Sequence, residues 1–159
     1  MKKIIVFLFC LLIPVCSFSE TVRVYDSAGI FTQQEKEALE DAIREYRHTT
    51  KTDFAILTTD DYLGENMTKT IADNFYDSLG LGIGNNHDGM IFYIDMYNRV
   101  PCISTCGFSV TLFPDESLSR LFDASHDLLS KGQYAASMQA VIDTALAMHD
   151  EYWSQYIVD

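Results

Sequence analysis

The chain is short of several things, and each shortage removes a class of protein. Three prolines and eight glycines in 159 residues are too few for a collagen-like or low-complexity chain. Eleven Lys and Arg stand against 23 Asp and Glu, a formal net charge of −12. Such a balance repels phosphate, which argues against nucleic acid and against anionic membrane surfaces. After the first twenty residues no apolar run approaches the roughly 20 residues needed to span a bilayer. The histidines, His48, His87, His126 and His149, lack metal-ligand spacing, and no cysteine pairs offer a zinc site. There is no Gly-x-Ser-x-Gly elbow and no Walker loop. Gly80-Leu81-Gly82-Ile83-Gly84 imitates a dinucleotide loop but follows a helical segment, so it reads as a helix stop.

What is present is a globular core. Hydrophobic residues make up 48% and aromatics 13%, too much for a disordered chain. The length falls within the single-domain range of about 100–200 residues. Lys2 and Lys3 precede an apolar run from Ile4 to Val15, with small Ser17 and Ser19 behind it. These are the parts of a secretory signal, with cleavage expected between Ser19 and Glu20. The expectation is therefore a leader over 1–19 and one domain over 20–159, exported to a periplasm or secreted, with no transmembrane helix in the mature chain. Losing Lys2 and Lys3 with no acid moves the net charge from −12 to −14. Cys102 and Cys106 remain. On one extended strand they would lie about 13 Å apart, beyond the ~7 Å reach of a disulfide, so two free thiols are expected unless a tight turn intervenes.

The pattern alternates strand and helix. Val22–Tyr25 reads as a strand and 33–48 as an amphipathic helix opened by a Thr32/Glu35 capping box. Phe54–Thr59 and Met90–Asp95 are near-continuous apolar runs, the signature of strands buried on both faces. A helix through Ile71–Leu79 lies between them, and Tyr97-Asn98 reverses the chain into a strand over 99–105. Two further helices follow, one from Asp115 and one carrying Tyr134 to Trp153, with Lys131-Gly132 between them. The order predicts an α/β fold: a three-layer α/β/α sandwich with a small mixed four-stranded sheet.

The candidate site residues are acids at strand ends. Asp26 follows the first strand, Asp60 and Asp61 follow the second, and Asp88 precedes the third. Loops at the carboxyl ends of parallel strands form the usual binding crevice. Asp88 could join it only if the polar loop Gly82–Gly89 folded over. Hard cations such as calcium take six to eight oxygen ligands, so Asp26, Asp60, Asp61 and Asp88, with Asn86 as a further oxygen, form the candidate metal set; the alternative from spacing is that the 23 acids make a solvated surface and Asp26 caps a turn.

Val24-Tyr25-Asp26-Ser27-Ala28-Gly29-Ile30-Phe31-Thr32 resembles the opening of the TPM domain. Asp53–Thr58, Asp88-Gly89-Met90-Ile91-Phe92, Gly107-Phe108, Phe113-Pro114-Asp115 and Gly132-Gln133-Tyr134 continue the resemblance in order over roughly 22–153. Asn98 stands where the family usually carries Asp before Arg99. The resemblance implies the same α/β/α sandwich in an exported or membrane-associated module, with calcium or a similar divalent cation as cofactor. It matches Asp26, Asp88 and Asp115 to motif positions. It also implies an envelope or membrane-associated protein as partner, and acid phosphatase activity in some members. Two functions follow: a non-catalytic accessory module whose acidic loop edge holds a divalent cation, or a metal-assisted acid phosphatase acting on small phosphomonoesters. The second must hold a phosphate dianion on a chain of net −14, where Arg47, Lys51 and Arg99 lack the spacing of a phosphate clamp. The accessory module is therefore the favoured reading.

Overall fold

A computed structural model describes residues 21–64 and 66–155; the expected leader and its cleavage point lie outside them. The elements run β1 (Val24–Asp26), α1 (Gln33–Thr50), β2 (Asp53–Thr59), α2 (Thr68–Ser78), β3 (Gly89–Asp95), β4 (Val100–Cys106), α3 (Ser109–Leu112), α4 (Asp115–Ser130) and α5 (Tyr134–Ser154). The sheet order is β1-β2-β3-β4. β1, β2 and β3 are parallel, and β4 returns antiparallel to β3.

Local signals explain most boundaries. The Thr32 hydroxyl accepts the Glu35 N–H at 3.2 Å, and the Glu35 carboxylate accepts the Thr32 N–H at 2.7 Å. That reciprocal pair satisfies two donors that a helix start leaves free. Leu39, Ile43 and Tyr46 then bury one stripe of α1, and the helix ends where Lys51 turns left-handed, φ 58°. β2 and β3, the central strands, are buried along nearly their whole length, as their unbroken apolar runs require. β1 starts two residues later than its pattern suggested. The short helix α3 was not visible in the pattern, because one turn carries no measurable period.

Side chains alternate across the sheet. Phe54, Ile56, Met90, Phe92 and Ile94 face α1, α4 and α5 and form the larger core. Ala55, Leu57, Ile91 and Tyr93 face α2 through Ala72 and Tyr76. Each large apolar side chain removed from water contributes about 1.5–3 kcal/mol before entropy is counted, so the α1/α4/α5 side dominates the stability. The two crossovers, β1-α1-β2 and β2-α2-β3, step the same way across the sheet on opposite faces. They are therefore of opposite hand, and one is the uncommon left-handed type. Cys102 and Cys106 lie on the single strand β4 and are unpaired. Burial pushes the Cys102 thiol up, which keeps it protonated and unreactive at neutral pH.

Candidate functional site

Three parallel strands give the sheet a carboxyl edge and an amino edge. Asp26 ends β1, Thr59 leads into Asp60 and Asp61 after β2, and Asp95 ends β3. These four acids share the carboxyl edge. The Asp26 side chain is 1% exposed there. Its Oδ1 accepts the Ile30 N–H at 3.0 Å and the Thr58 hydroxyl at 2.6 Å, and its Oδ2 accepts the Phe31 N–H at 3.1 Å. Lys36 Nζ stands 3.7 Å from the same carboxylate. Burial opposes ionisation of Asp26, but the Thr58, Phe31 and Ile30 hydrogen bonds and Lys36 outweigh it and hold the carboxyl below its ordinary range. Asp26 thus fastens the 27–31 loop to the end of the sheet.

Asp95 has a similar task. It is 1% exposed, and its two oxygens accept the backbone N–H and the side-chain amide of Asn98, each at 2.9 Å, closing the turn between β3 and β4. Asp60 and Asp61 differ. Both are exposed, and their carboxylates have no partner among the described residues. Beside them Tyr62 and Tyr97 lie 5.2 Å apart between ring centroids, with more than half of each side chain's residue surface open to solvent.

Asp88 lies at the opposite edge. Its backbone pairs with Ile83, Asp88 N–H to Ile83 C=O at 2.9 Å and Ile83 N–H to Asp88 C=O at 3.0 Å. Its Oδ1 accepts the Phe108 N–H at 2.6 Å. The Gly82–Gly89 loop therefore stays at the amino edge, where β3 begins, and the four-carboxylate set is divided: Asp26, Asp60 and Asp61 share one edge and Asp88 occupies the other. Asn86 goes with Asp88; its backbone carbonyl approaches the Cys106 thiol at 3.7 Å. Asp115 is exposed at the first position of α4, where its charge suits the helix dipole. The last turns of α4 flank the β3–β4 hairpin at the carboxyl edge, so Asp115 starts the helix on the amino side.

The amino edge also holds a buried ionic centre that was not singled out from the sequence. Asp53 is fully buried. Arg23 Nε lies 2.9 Å from both of its oxygens, and the Gly82 N–H reaches Oδ2 at 2.9 Å. Arg47 Nε stands 2.9 Å from Oδ1 without hydrogen-bond alignment, so that contact is ionic. The available signal was positional: Arg23 precedes β1 and Asp53 opens β2, so parallel pairing brings them to the same end of the sheet, two register positions apart.

A divalent cation can be weighed against this geometry. Asp26, Asp88 and Asp95 already accept donors from their own turns, and among the described residues no three His, Cys, Asp or Glu side chains gather around one point. The residues do not fit a closed carboxylate cage. Of the acids at the carboxyl edge, Asp60 and Asp61 keep carboxylate oxygens with no partner among the described residues.

No curated protein matches the chain. Solved structures do. The N-terminal domain of a P. gingivalis protein superposes with a TM-score of 0.70 at 21% identity, covering 82% of this chain and 84% of that one. The BA42 protein of Bizionia argentinensis gives 0.67 at 16% identity over 77% and 83%. The N-terminal domain of a Corynebacterium glutamicum protein gives 0.64 at 18% identity over 86% and 84%. At these identities the likeness speaks for the fold alone. Residues 24–148, from the first residue of β1 to the fifth turn of α5, match the TPM domain, and the chain belongs to that family.

Proposed function

We propose that the protein is an exported, non-catalytic accessory module. Its carboxyl edge takes a calcium-like divalent cation through Asp60 and Asp61 and meets an envelope or membrane-associated protein. The observation that carries the reading is the contrast in commitment among the acids. Asp26, Asp53, Asp88 and Asp95 each hold backbone or guanidinium donors, whereas Asp60 and Asp61 are exposed with no such partner among the described residues. Exposed Tyr62, Leu63 and Tyr97 adjoin them, which suits a surface that also contacts a protein. A phosphatase would need cations converging on the same acids. Arg23 and Arg47 are held by Asp53 at the other end of the sheet, Lys36 faces Asp26, and Arg99, a cation left at this edge, lines the groove beside α4.

The test is a calcium titration of metal-stripped protein followed by its unfolding temperature. Two carboxylates with water support a dissociation constant on the order of 10⁻⁴–10⁻³ M, and a hundredfold excess over it stabilises the fold by about 2.7 kcal/mol. The shift disappears in Asp60→Asn/Asp61→Asn and persists in Asp88→Asn. A flat response, or a shift that survives the double substitution, overturns the cation assignment.

A further inference from the structure

We propose that the groove between α4 and the β3–β4 hairpin binds a small amphipathic carboxylate, an apolar chain ending in one anionic head. The cavity measures about 300 Å³. Phe122 and Leu129 of α4 line it together with Ile94, Val100, Pro101 and Tyr134. That volume is about ten times the ~30 Å³ share of one water molecule, room for an apolar chain of about eight to ten carbons. An apolar pocket with a few polar groups at its mouth is the usual form of a small-molecule site.

The charge at the mouth selects the head group. Seven of the nine described Lys and Arg side chains are already engaged. Arg23 and Arg47 bind Asp53, Lys36 meets Asp26, Arg44 meets Asp41, Lys69 meets Asp73 and Arg120 meets Glu151. Lys51 donates to the His48 carbonyl. The two with no such partner among the described residues are Arg99 and Lys131. Arg99 lines the groove, and Lys131 directly follows Ser130, which also lines it. His126 also lines it, with its Nδ1 3.4 Å from the Asp127 carboxylate. On a chain of net charge −12, Arg99 therefore places an uncompensated positive charge in the groove lining.

Nearby acceptors do not absorb it. The Asp95 carboxylate is occupied by Asn98. The Leu128 and Leu129 carbonyls at the end of α4 accept the N–H groups of Lys131, Gly132 and Gln133. Arg99 also sits at φ 56°, a left-handed conformation in which glycine or asparagine fits a turn better. The hairpin alone gives no reason for arginine at that position; a ligand carboxylate at the groove mouth does.

Calorimetric titration of the full chain with decanoate, decanol and acetate tests the assignment. Decanoate binds saturably at one site, more tightly than decanol, and acetate does not bind measurably. Arg99→Asn relaxes the turn, so it retains or raises the unfolding temperature while weakening decanoate by about tenfold or more, the loss of one charge-assisted hydrogen bond. Lys131→Gln weakens it several-fold. Val100→Trp fills the cavity from the exposed strand and abolishes the site. Equal affinity for decanoate and decanol, unchanged by Arg99→Asn, would reduce the groove to apolar adsorption and overturn the proposal. So would decanoate binding that persists in Val100→Trp, because that binding lies elsewhere on the chain.

Discussion

The two edges of the sheet draw on the same residue types and use them in opposite ways. At the amino edge Asp53 is buried among Arg23, Arg47 and the Gly82 N–H, and Asp88 pins the start of the 108–112 segment. Glycines there leave no room for a side chain: a Cβ on Gly89 would overlap Tyr76 Oη and crowd the Asp53 carbonyl at 2.8 Å. At the carboxyl edge the inner acids Asp26 and Asp95 hold turns together, while Asp60 and Asp61 remain open to solvent. The difference teaches that burial, and not the count of acids, separates structural from available carboxylates. A buried carboxylate must be paired to be tolerated, so the acids deepest in the fold are the ones least free to bind anything else.

Removing Asp53 is the sharpest way to break this comparison. Asp53→Ala leaves Arg23 and Arg47 beside a vacated, desolvated position, and removing one partner of a buried ion pair costs about 3–5 kcal/mol. A urea unfolding series reads the loss as a lowered midpoint at unchanged slope. A cost below about 1 kcal/mol, the range of surface pairs, would show that the centre is hydrated and that the two edges do not differ as described.

The fold was legible because its signals are local and periodic. The Thr32/Glu35 box, the apolar runs of β2 and β3, and the i, i+4 stripe of α1 each act within a few residues. The edges were not legible in the same way. Which end of the sheet an acid occupies depends on strand direction, and Asp88 changes ends according to whether it precedes or follows β3. Asp26 and Asp88 attract notice by their motif positions, yet both are turn-fastening residues, since a carboxylate accepting its neighbours' N–H groups leaves no compositional trace. The Arg23–Asp53–Arg47 centre joins residues 30 and 6 positions apart, and only the parallel register of β1 and β2 brings the first pair together. Arg99 and Lys131 are set apart by the pairing of the other described cations, which no local pattern announces.

Asp26 gives an intermediate effect. Asp26→Asn keeps the shape but replaces an acceptor-only carboxylate with a group whose amide end faces donors, at a cost of about 1–3 kcal/mol. Its pH dependence is distinctive. The folded carboxyl lies below its ordinary value, so its stabilisation is complete above the unfolded pKa of about 3.9. It is then lost as pH falls through the folded value. Unfolding temperatures between neutral pH and the acid limit should fall more steeply for the wild type than for Asp26→Asn, and the two curves should converge in acid. Parallel curves would mean that Asp26 titrates alike in both states and carries no special hydrogen bonding.

The smallest change belongs to the exposed pair. Asp60→Asn/Asp61→Asn removes two adjacent like charges from a chain of net −12, with no partner among the described residues to lose. Substitutions of this kind fall within about 0.5 kcal/mol of neutral. Relief of self-repulsion places the change on the stabilising side at low salt, and screening removes it at high salt. A double variant that unfolds like the wild type in the absence of divalent ions leaves these carboxylates free of any structural duty. A variant destabilised by more than 1 kcal/mol would make them fasten the 60–67 loop as Asp26 fastens 27–31, and the contrast between the two edges would then be one of degree.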